Sequence, residues 1–291
     1  MSKKHPIVAV TGSSGAGTTY FRRAFEHILR REGINAAIIE GDCFHRYDRT
    51  AMQQAAQKAE AEGRHVTHFG PEGNLFEELT QLFESYSETG TGQRRYYIHN
   101  EEQAALRHQP AGTFTSWEPL PAGTDLLFYE GLHGALVTPT VNIPQYVDLS
   151  IGVVPIINLE WIQKIHRDKY VRGYSAESAT RHILYRMYDY VHYITPQFSR
   201  TDINFQRVPT VDTSNPFAAD EIPGDDESYV VIHVRNQKKL NVDYRYLIEV
   251  LDGSFMSRPD TLVIPAIKKI LAIEIIITPL IERMMEERRL A

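Results

Sequence analysis

The feature that most limits the possible folds of this chain lies in its first 40 residues. "IVAVTG" (Ile7–Gly12) is a short apolar run that ends in glycine, and the glycine-rich stretch "GSSGAGTT" and a helical pattern follow it. A second apolar run, "NAAIIEGD", comes after the predicted helix. Short apolar runs bounded by glycine are typical of buried parallel strands, so the segment predicts a strand–loop–helix–strand unit. Such a unit opens an α/β fold, in which helices flank a mostly parallel sheet.

The glycine-rich stretch matches a phosphate-binding pattern except at one position. In G-x-x-x-x-G-K-[ST], Gly12, Gly17 and Thr19 take their expected places, but Thr18 stands where the lysine would be. Glycines let successive backbone N–H groups point at phosphate oxygens, and the dipole of the following helix adds positive potential. The Thr19 hydroxyl can bind a magnesium ion. The residues predicted to bind a nucleotide are Gly12, Ser13, Ser14, Gly15, Ala16, Gly17, Thr18, Thr19 and Tyr20.

The missing lysine requires a cation from elsewhere, because phosphoryl transfer needs its developing negative charge neutralised. In "NLEWIQKIHRDKYVRGYS", Arg167 follows Lys164 by three residues and Asp168 follows it by four. The three side chains therefore share one face of a predicted helix. A solvated ion pair on a surface helix explains the same spacing. If these cations act, the side chain of Thr18 carries little of the electrostatic work.

Polar residues also follow the predicted strands. Asp42 lies just past the second strand, at the edge of the sheet where ligands bind, and can accept a proton from a substrate hydroxyl. Glu130 ends the strand "LLFYEG", in the place of a metal-coordinating acid. His45 and Arg49 are spaced to hold a substrate phosphate, and His99 could contact a sugar. The alternatives are a helix cap for Asp42, an incidental charge for Glu130, and surface or structural roles for the other three.

The rest of the chain continues the α/β pattern. Further strands are predicted at "DLLFYEG", "VDLSIGVVP", "YVVIHV" and "TLVIP", and helices over residues 51–63, 74–86, 156–170 and 175–193. The acidic stretch "DEIPGDDE" is predicted to be a surface loop. No repeat or linker interrupts the pattern, so we expect a single domain over residues 1–291.

Composition excludes several classes of protein. A net charge of −6 disfavours a nucleic-acid binder. Cys43 is the only cysteine, so no disulfide can form within one chain, which fits a reducing compartment. The N-terminus has no signal-peptide pattern. The most apolar stretch, residues 270–285, contains Glu274 and Pro279 and is too short to cross a membrane. We therefore expect a cytoplasmic protein, with this stretch forming a buried or subunit-facing helix that Pro279 could kink.

Five segments together resemble the bacterial phosphoribulokinases, in the P-loop kinase group that includes uridine kinases. These segments are "GSSGAGTT", "EGDCFHRYDR", "LLFYEGLHGA", "GVVPIINLEWIQKIHRDKYVRGYS" and "PQFSRTDINFQRVPTVDTSNPF". The resemblance covers nearly the whole chain, and the bacterial members share the lysine-free loop. It implies a P-loop kinase fold and the Mg²⁺- and ATP-dependent phosphorylation of the 1-hydroxyl of ribulose 5-phosphate. The product, ribulose 1,5-bisphosphate, feeds carbon fixation in the Calvin cycle.

The resemblance also implies a role for each candidate residue. Asp42 would be the general base, and Lys164 and Arg167 would stabilise the transferring phosphoryl group. Glu130 and Asp168 would be acidic residues of the metal site, together with the loop threonine, and Asp168 would also belong to the catalytic set. The residues implied to hold the sugar phosphate are His45, Arg49 and Arg172, with His99 as a further substrate contact.

Regulation is implied in the same way. Many bacterial members are octamers that NADH activates, and the candidates for an effector site at a subunit interface are Arg31, Arg235 and Arg258. Each of these is otherwise an ordinary surface arginine.

Two rival functions remain open. A nucleoside kinase of the uridine kinase type should keep the loop lysine and needs no clamp for a substrate phosphate, so Thr18 and Arg49 argue against it. A non-catalytic nucleotide sensor should have lost its acidic residues, yet Asp42, Glu130 and Asp168 are all present.

Overall fold

The computed structural model of the protein describes residues 4–13, 17–170, 175–219 and 221–291. The strands are β1 (Ile7–Gly12), β2 (Ala36–Glu40), β3 (Gln93–Arg94), β4 (Glu118–Pro119), β5 (Leu126–Gly131), β6 (Leu149–Val154), β7 (Ile203–Pro209), β8 (Ser228–Val234), β9 (Phe255–Arg258) and β10 (Thr261–Pro265). The α-helices are α1 (Thr18–Arg31), α2 (Arg49–Ala61), α3 (Phe76–Thr89), α4 (Glu101–Arg107), α5 (Ile157–Tyr170), α6 (Ala176–Asp189), α7 (Gln237–Leu240), α8 (Tyr244–Val250) and α9 (Lys269–Arg289).

Eight of these strands form one sheet in the order β2-β5-β1-β6-β7-β8-β10-β9. The first five strands pair in parallel, and the last three are each antiparallel to their neighbours. Strands β3 and β4 pair separately. Because β1 lies between β5 and β6, the glycine-rich loop leaves the sheet beside the ends of both strands. The predicted α/β architecture is confirmed.

Strand β1 is buried on both faces, as its continuous apolar sequence predicts. Successive side chains of a strand point to opposite faces. Val8 and Val10 accordingly join the core formed with α1 and α9, whereas Ile7 and Ala9 join the core that includes α3. Helices on both faces therefore hold the strand that carries the loop.

Helix α1 buries the face that the sequence predicted, with Phe21, Phe25, Ile28 and Leu29 all in the core. The chain leaves the helix through Gly33, whose φ of 65° lies in the left-handed region that favours glycine. The face and the end of this helix are thus confirmed.

Some boundaries and elements differ from the predictions. The helix predicted over 175–193 is α6 followed by a π-helical turn, Tyr190–Ile194. Helix α9 extends through Pro279 as one element. Strand β7 was not predicted, because Asn204 and Arg207 interrupt its apolar pattern. Asn204 is nevertheless buried, and its Nδ2 donates to the carbonyl of Phe198.

Among the helices that the structure describes, none is long and apolar enough to cross a membrane.

Candidate active site

Acidic residues converge where β2 and β5 end. Glu40 and Glu130 are register partners at the ends of these strands, and Asp42 follows in a 3₁₀ turn, Gly41–Phe44. Arg22 of α1 pairs with Glu40 and neutralises it. Burial raises the pKa of Glu130, and the negative charge of Asp42 adds to this effect. The strand-end position predicted for Asp42 and Glu130 is confirmed.

The glycine loop begins beside these acids. A Cβ on Gly12 would lie 2.8 Å from the carbonyl oxygen of Val153, so this position has no room for a side chain. Gly17 adopts a φ of 96°, which favours glycine. Ser13 is fully buried. Ser14, Gly15 and Ala16 lie outside the described residues, as does the side chain of Thr19.

Thr18 has a contact that the sequence did not suggest. Its side chain is buried, and its hydroxyl opposes the rise in the pKa of the Glu130 carboxyl. The residue in the lysine position therefore acts on the protonation of an acid of the site. The sequence predicted that the Thr18 side chain carries little of the electrostatic work, and it did not predict this effect on Glu130.

Asp42 lies between two imidazoles from different parts of the chain. His45 Nε2 is 3.5 Å from Asp42 Oδ1, and His99 Nε2 is 3.8 Å from Asp42 Oδ2. Burial lowers the pKa of His45, although Asp42 opposes the shift. Arg49 donates to the carbonyl of His99 over 3.1 Å, so it lies against the His99 segment. The structure thus brings His45 and His99 to the predicted base.

Arg95 holds the turn that carries Asp42, and sequence reasoning missed it. Its Nε donates to the carbonyl of Cys43 over 2.8 Å, and its Nη2 donates to the carbonyl of His45 over 2.6 Å. The guanidinium lies over the Phe114 ring, 3.7 Å from the ring centroid. "RRYYIHN" signals only a mixture of basic and aromatic residues, and nothing in it identifies the partners of this arginine.

The predicted cationic face of α5 is present. Lys164 pairs with the buried Asp168, and Arg167 Nε is 3.7 Å from Asp168 Oδ1. Burial lowers the pKa of Lys164 to about 8, with a further contribution from Arg186 of α6. The ion pair is therefore not the solvated surface pair that was the alternative.

Arg186 is the second residue that sequence reasoning missed. Its positive charge lowers the pKa of Lys164 and also that of His45, so it acts on both the cationic face and the histidine beside Asp42. The guanidinium is 5.6 Å from the centroid of the Phe69 ring. Arg172, predicted to bind the substrate phosphate, lies outside the described residues.

A cavity of about 540 Å³ opens beside the glycine loop. Its walls come from the start of α1, from α5, from β7 and from residues 222–225, and the lining residues include Tyr20, Arg23, Gln163, Arg167, Arg207 and Pro223. The stretch "DEIPGDDE" was predicted to be a surface loop, but part of it forms a wall of this cavity. Asp225 is held there by ion pairs with Lys269 and Arg207. Asp220 lies outside the described residues.

The three arginines predicted to bind an effector lie on different elements. Arg31 ends α1 and pairs with Glu274 of α9. Arg235 follows β8 and donates to the carbonyls of Thr201 and Phe198, whereas Arg258 ends β9. Their joint role stays a prediction.

Known proteins resemble this chain over its full length. A family model described as "Phosphoribulokinase / Uridine kinase family" matches residues 7–214. The chain is 59% identical to "Phosphoribulokinase, chromosomal" of Cupriavidus necator, covering 100% of this chain and 99% of the relative. It is 57% identical to "Phosphoribulokinase" of Nitrobacter vulgaris, covering 100% of both.

A solved structure agrees with these relatives. The phosphoribulokinase from Rhodobacter spheroides is 50% identical, with a TM-score of 0.91, over 99% of this chain and 100% of that chain. The resemblance that the motifs suggested is confirmed, and so is the kinase fold. The comparisons name no residues, so the roles assigned above stay predictions.

Proposed function

Because the chain belongs to the phosphoribulokinase/uridine kinase family, we propose that it transfers the γ-phosphoryl group of ATP to O1 of ribulose 5-phosphate. The products are ribulose 1,5-bisphosphate and ADP, as the Calvin cycle requires. The observation that carries the proposal is the convergence of Asp42 and Glu130 beside the glycine loop. The proposal treats residues 1–291 as one cytoplasmic kinase domain. The eight-stranded sheet, which joins β1 near the start of the chain to β10 near its end, supports the single domain.

The cavity beside the glycine loop suits ATP. Its volume of about 540 Å³ lies within the range of small-molecule sites. Gly17 and Tyr20 line this cavity and belong to the predicted phosphate-binding stretch, so the proposal puts the phosphates at that end. Arg167 and Arg207 supply positive charge, and Pro223 supplies an apolar surface for a base. These residues form the nucleotide site of the proposal.

The residues beside the loop also fit a magnesium ion. Mg²⁺ prefers oxygen ligands and is usually held by one or two carboxylates together with substrate phosphates. Glu130 offers such oxygens, and burial makes a cation favourable beside it. Among the described residues, no group of three or more metal-ligating side chains is assembled, so the nucleotide would supply much of the coordination. When bound, Mg²⁺ neutralises negative charge on the β- and γ-phosphate oxygens.

The side chains of the protein supply the remaining steps. Asp42 accepts the proton of the substrate O1 hydroxyl, which makes the oxygen a better nucleophile. Lys164 and Arg167 stabilise the negative charge on the transferring group, in place of the absent loop lysine. Asp168 is already paired with both cations, which favours a role in orienting them over direct metal binding.

The proposal is tested by ADP release in the presence of Mg²⁺, with ribulose 5-phosphate and uridine as alternative acceptors. We expect turnover with ribulose 5-phosphate, and the product should carry phosphate at O1. Turnover with uridine alone would instead identify a nucleoside kinase, and nucleotide binding without turnover on either acceptor would identify a sensor.

Regulation by NADH in an octamer is a further part of the proposal. Arg31, Arg235 and Arg258 would form the effector sites between subunits. Sedimentation measures the oligomeric state, and NADH titration of Arg31→Ala against the unaltered protein measures the effector response. Equal activation of both proteins would remove Arg31 from the effector site.

A further inference from the structure

His68 lies between α2 and α3 in a segment that is anchored on several sides. The neighbouring Thr67 donates its hydroxyl to the buried Asp189 over 2.7 Å. His133 Nε2 is 3.0 Å from the carbonyl oxygen of residue 69. Asn74 Nδ2 donates to the carbonyl of His68 itself over 2.9 Å. The backbone at His68 is therefore held in one position, as a binding residue requires.

The imidazole of His68 packs on a histidine of the candidate site. Its ring lies against that of His45, with the centroids 4.1 Å apart and the planes tilted by 31°. His45 is in turn 3.5 Å from the carboxylate of Asp42. The ring of His68 is therefore one side chain away from the predicted base.

His68 Nδ1 is buried and has no hydrogen-bond partner in the part of the chain that the structure describes. A buried polar atom without a partner is uncommon in proteins, because it loses its hydrogen bonds to water and gains none in return. The other nearby imidazoles do have polar partners, since His45 faces Asp42 and His133 faces a carbonyl. The hydrogen-bonding capacity of His68 Nδ1 is therefore unused in this structure, and an oxygen of a bound ligand at this nitrogen would satisfy it.

The surroundings of this nitrogen favour a ligand rich in oxygen. Burial lowers the pKa of His68 well below its usual value, and the charges of His45, Arg186 and His133 add to this effect. The imidazole is consequently neutral near pH 7 and carries one N–H. Arg186 adds positive potential at the same place, which attracts an anion.

We propose that His68 is a binding residue for the acceptor, and that its Nδ1–H donates to an oxygen of the sugar phosphate held beside Asp42. This inference rests on the proposed function, because that function makes a sugar phosphate the acceptor. The oxygen belongs either to the phosphate group or to a sugar hydroxyl, since both accept hydrogen bonds.

Two matched variants separate hydrogen bonding from ring packing. His68→Asn keeps an amide donor near the position of Nδ1, and His68→Phe keeps a ring that can pack on His45. We expect His68→Phe to raise KM for ribulose 5-phosphate by about 10- to 100-fold, the usual effect of a lost hydrogen bond to a charged group. KM for ATP should change by less than about twofold, and His68→Asn should recover most of the affinity.

The opposite pattern would overturn the inference. If His68 serves only to pack on His45, His68→Phe keeps its affinity for the acceptor and His68→Asn loses it. His68→Gln places its amide near Nε2 instead and should behave like His68→Phe, so it provides a second test if the phenylalanine variant does not fold. Thermal unfolding of each variant checks its folding.

Direct titration with ribulose 5-phosphate and with inorganic phosphate separates the inference from the proposed function. Weaker binding of both ligands to His68→Phe supports a contact with the phosphate, and weaker binding of the sugar phosphate alone supports a contact with a hydroxyl. If the unaltered protein binds the sugar phosphate through His68 but does not phosphorylate it, the inference stands and the proposed function fails. If it phosphorylates ribulose 5-phosphate with the same KM as His68→Phe, the proposed function stands and the inference fails.

Discussion

Raising the pH should discharge Lys164 and so remove a cation that the proposed reaction needs. The side chain of Lys164 is only 13% exposed, and it lies against Asp168 on the same face of α5. Burial is the largest cause of its lowered pKa, Arg186 adds to the effect, and Asp168 opposes it. The resulting pKa of about 8 brings the titration of a lysine close to working pH.

The size of the effect follows from this value. One pH unit above a pKa of about 8, roughly a tenth of Lys164 remains charged, so kcat/KM for ATP should fall about tenfold between pH 7 and pH 9. The kcat profile should fall at higher pH, because the phosphates of bound ATP favour the charged lysine. Lys164→Arg does not titrate in this range and should lack the decline, although its different geometry lowers the rate.

Stability should change in the opposite direction over the same range. The pKa of Lys164 is about 8 in the folded protein against 10.5 as its ordinary value. Between these values the unfolded chain binds a proton that the folded chain lacks, so the free energy of unfolding rises with pH, by up to about 3 kcal/mol. Lys164→Met should lack this rise. It should also lose about 10²- to 10³-fold in kcat, because its cation is gone.

The assay measures initial rates of ADP release from about pH 6.5 to pH 9.5, with urea unfolding at both ends of the range. A decline of equal size in Lys164→Arg would assign the titration to another group. Activity and stability that fall together at high pH would point to alkaline unfolding. Either result would refute the role given to Lys164.

Three further predictions follow from single contacts. Asp42→Asn should bind ATP normally but lose about 10²- to 10⁴-fold in kcat, and near-normal turnover would exclude Asp42 as the base. Thr18→Ala should lose about tenfold in kcat relative to Thr18→Ser, because only serine keeps a hydroxyl that opposes the rise in the pKa of Glu130; equal rates would remove that hydroxyl from the mechanism. Burial raises the pKa of Cys43 to about 12, so iodoacetamide and dithiol reductants should leave activity unchanged, and rapid labelling with inactivation would contradict this.

Much of the site could be predicted because it depends on local order in the chain. Parallel strands end at one edge of the sheet, so the positions of Asp42 and Glu130 follow from recognising two strands. The face shared by Lys164 and Asp168 follows from their spacing on a helix. Neither inference requires knowledge of which distant elements meet.

The residues that were missed depend on contacts between distant parts of the chain. Arg95 holds the carbonyl of Cys43, which is 52 residues away in the sequence. Thr67 reaches Asp189 across 122 residues, and that bond helps to place His68. A contact between residues so far apart leaves no periodic pattern in the sequence. The burial that lowers the pKa of Lys164 also depends on tertiary packing, so the sequence could identify this cation but not its titration.

The absence of a lysine from the glycine loop has a chemical consequence in this fold. A lysine in the loop would lie beside the N-terminus of α1, whereas here Thr18 occupies that position and opposes the rise in the pKa of Glu130. In the proposed mechanism the cation comes instead from α5, where Lys164 is desolvated and paired with Asp168. Desolvation strengthens the attraction of a charged lysine for phosphate, because less water screens it. The same desolvation lowers the pKa of the lysine to about 8, so this arrangement couples a stronger electrostatic contact to a charge that is lost in mild alkali.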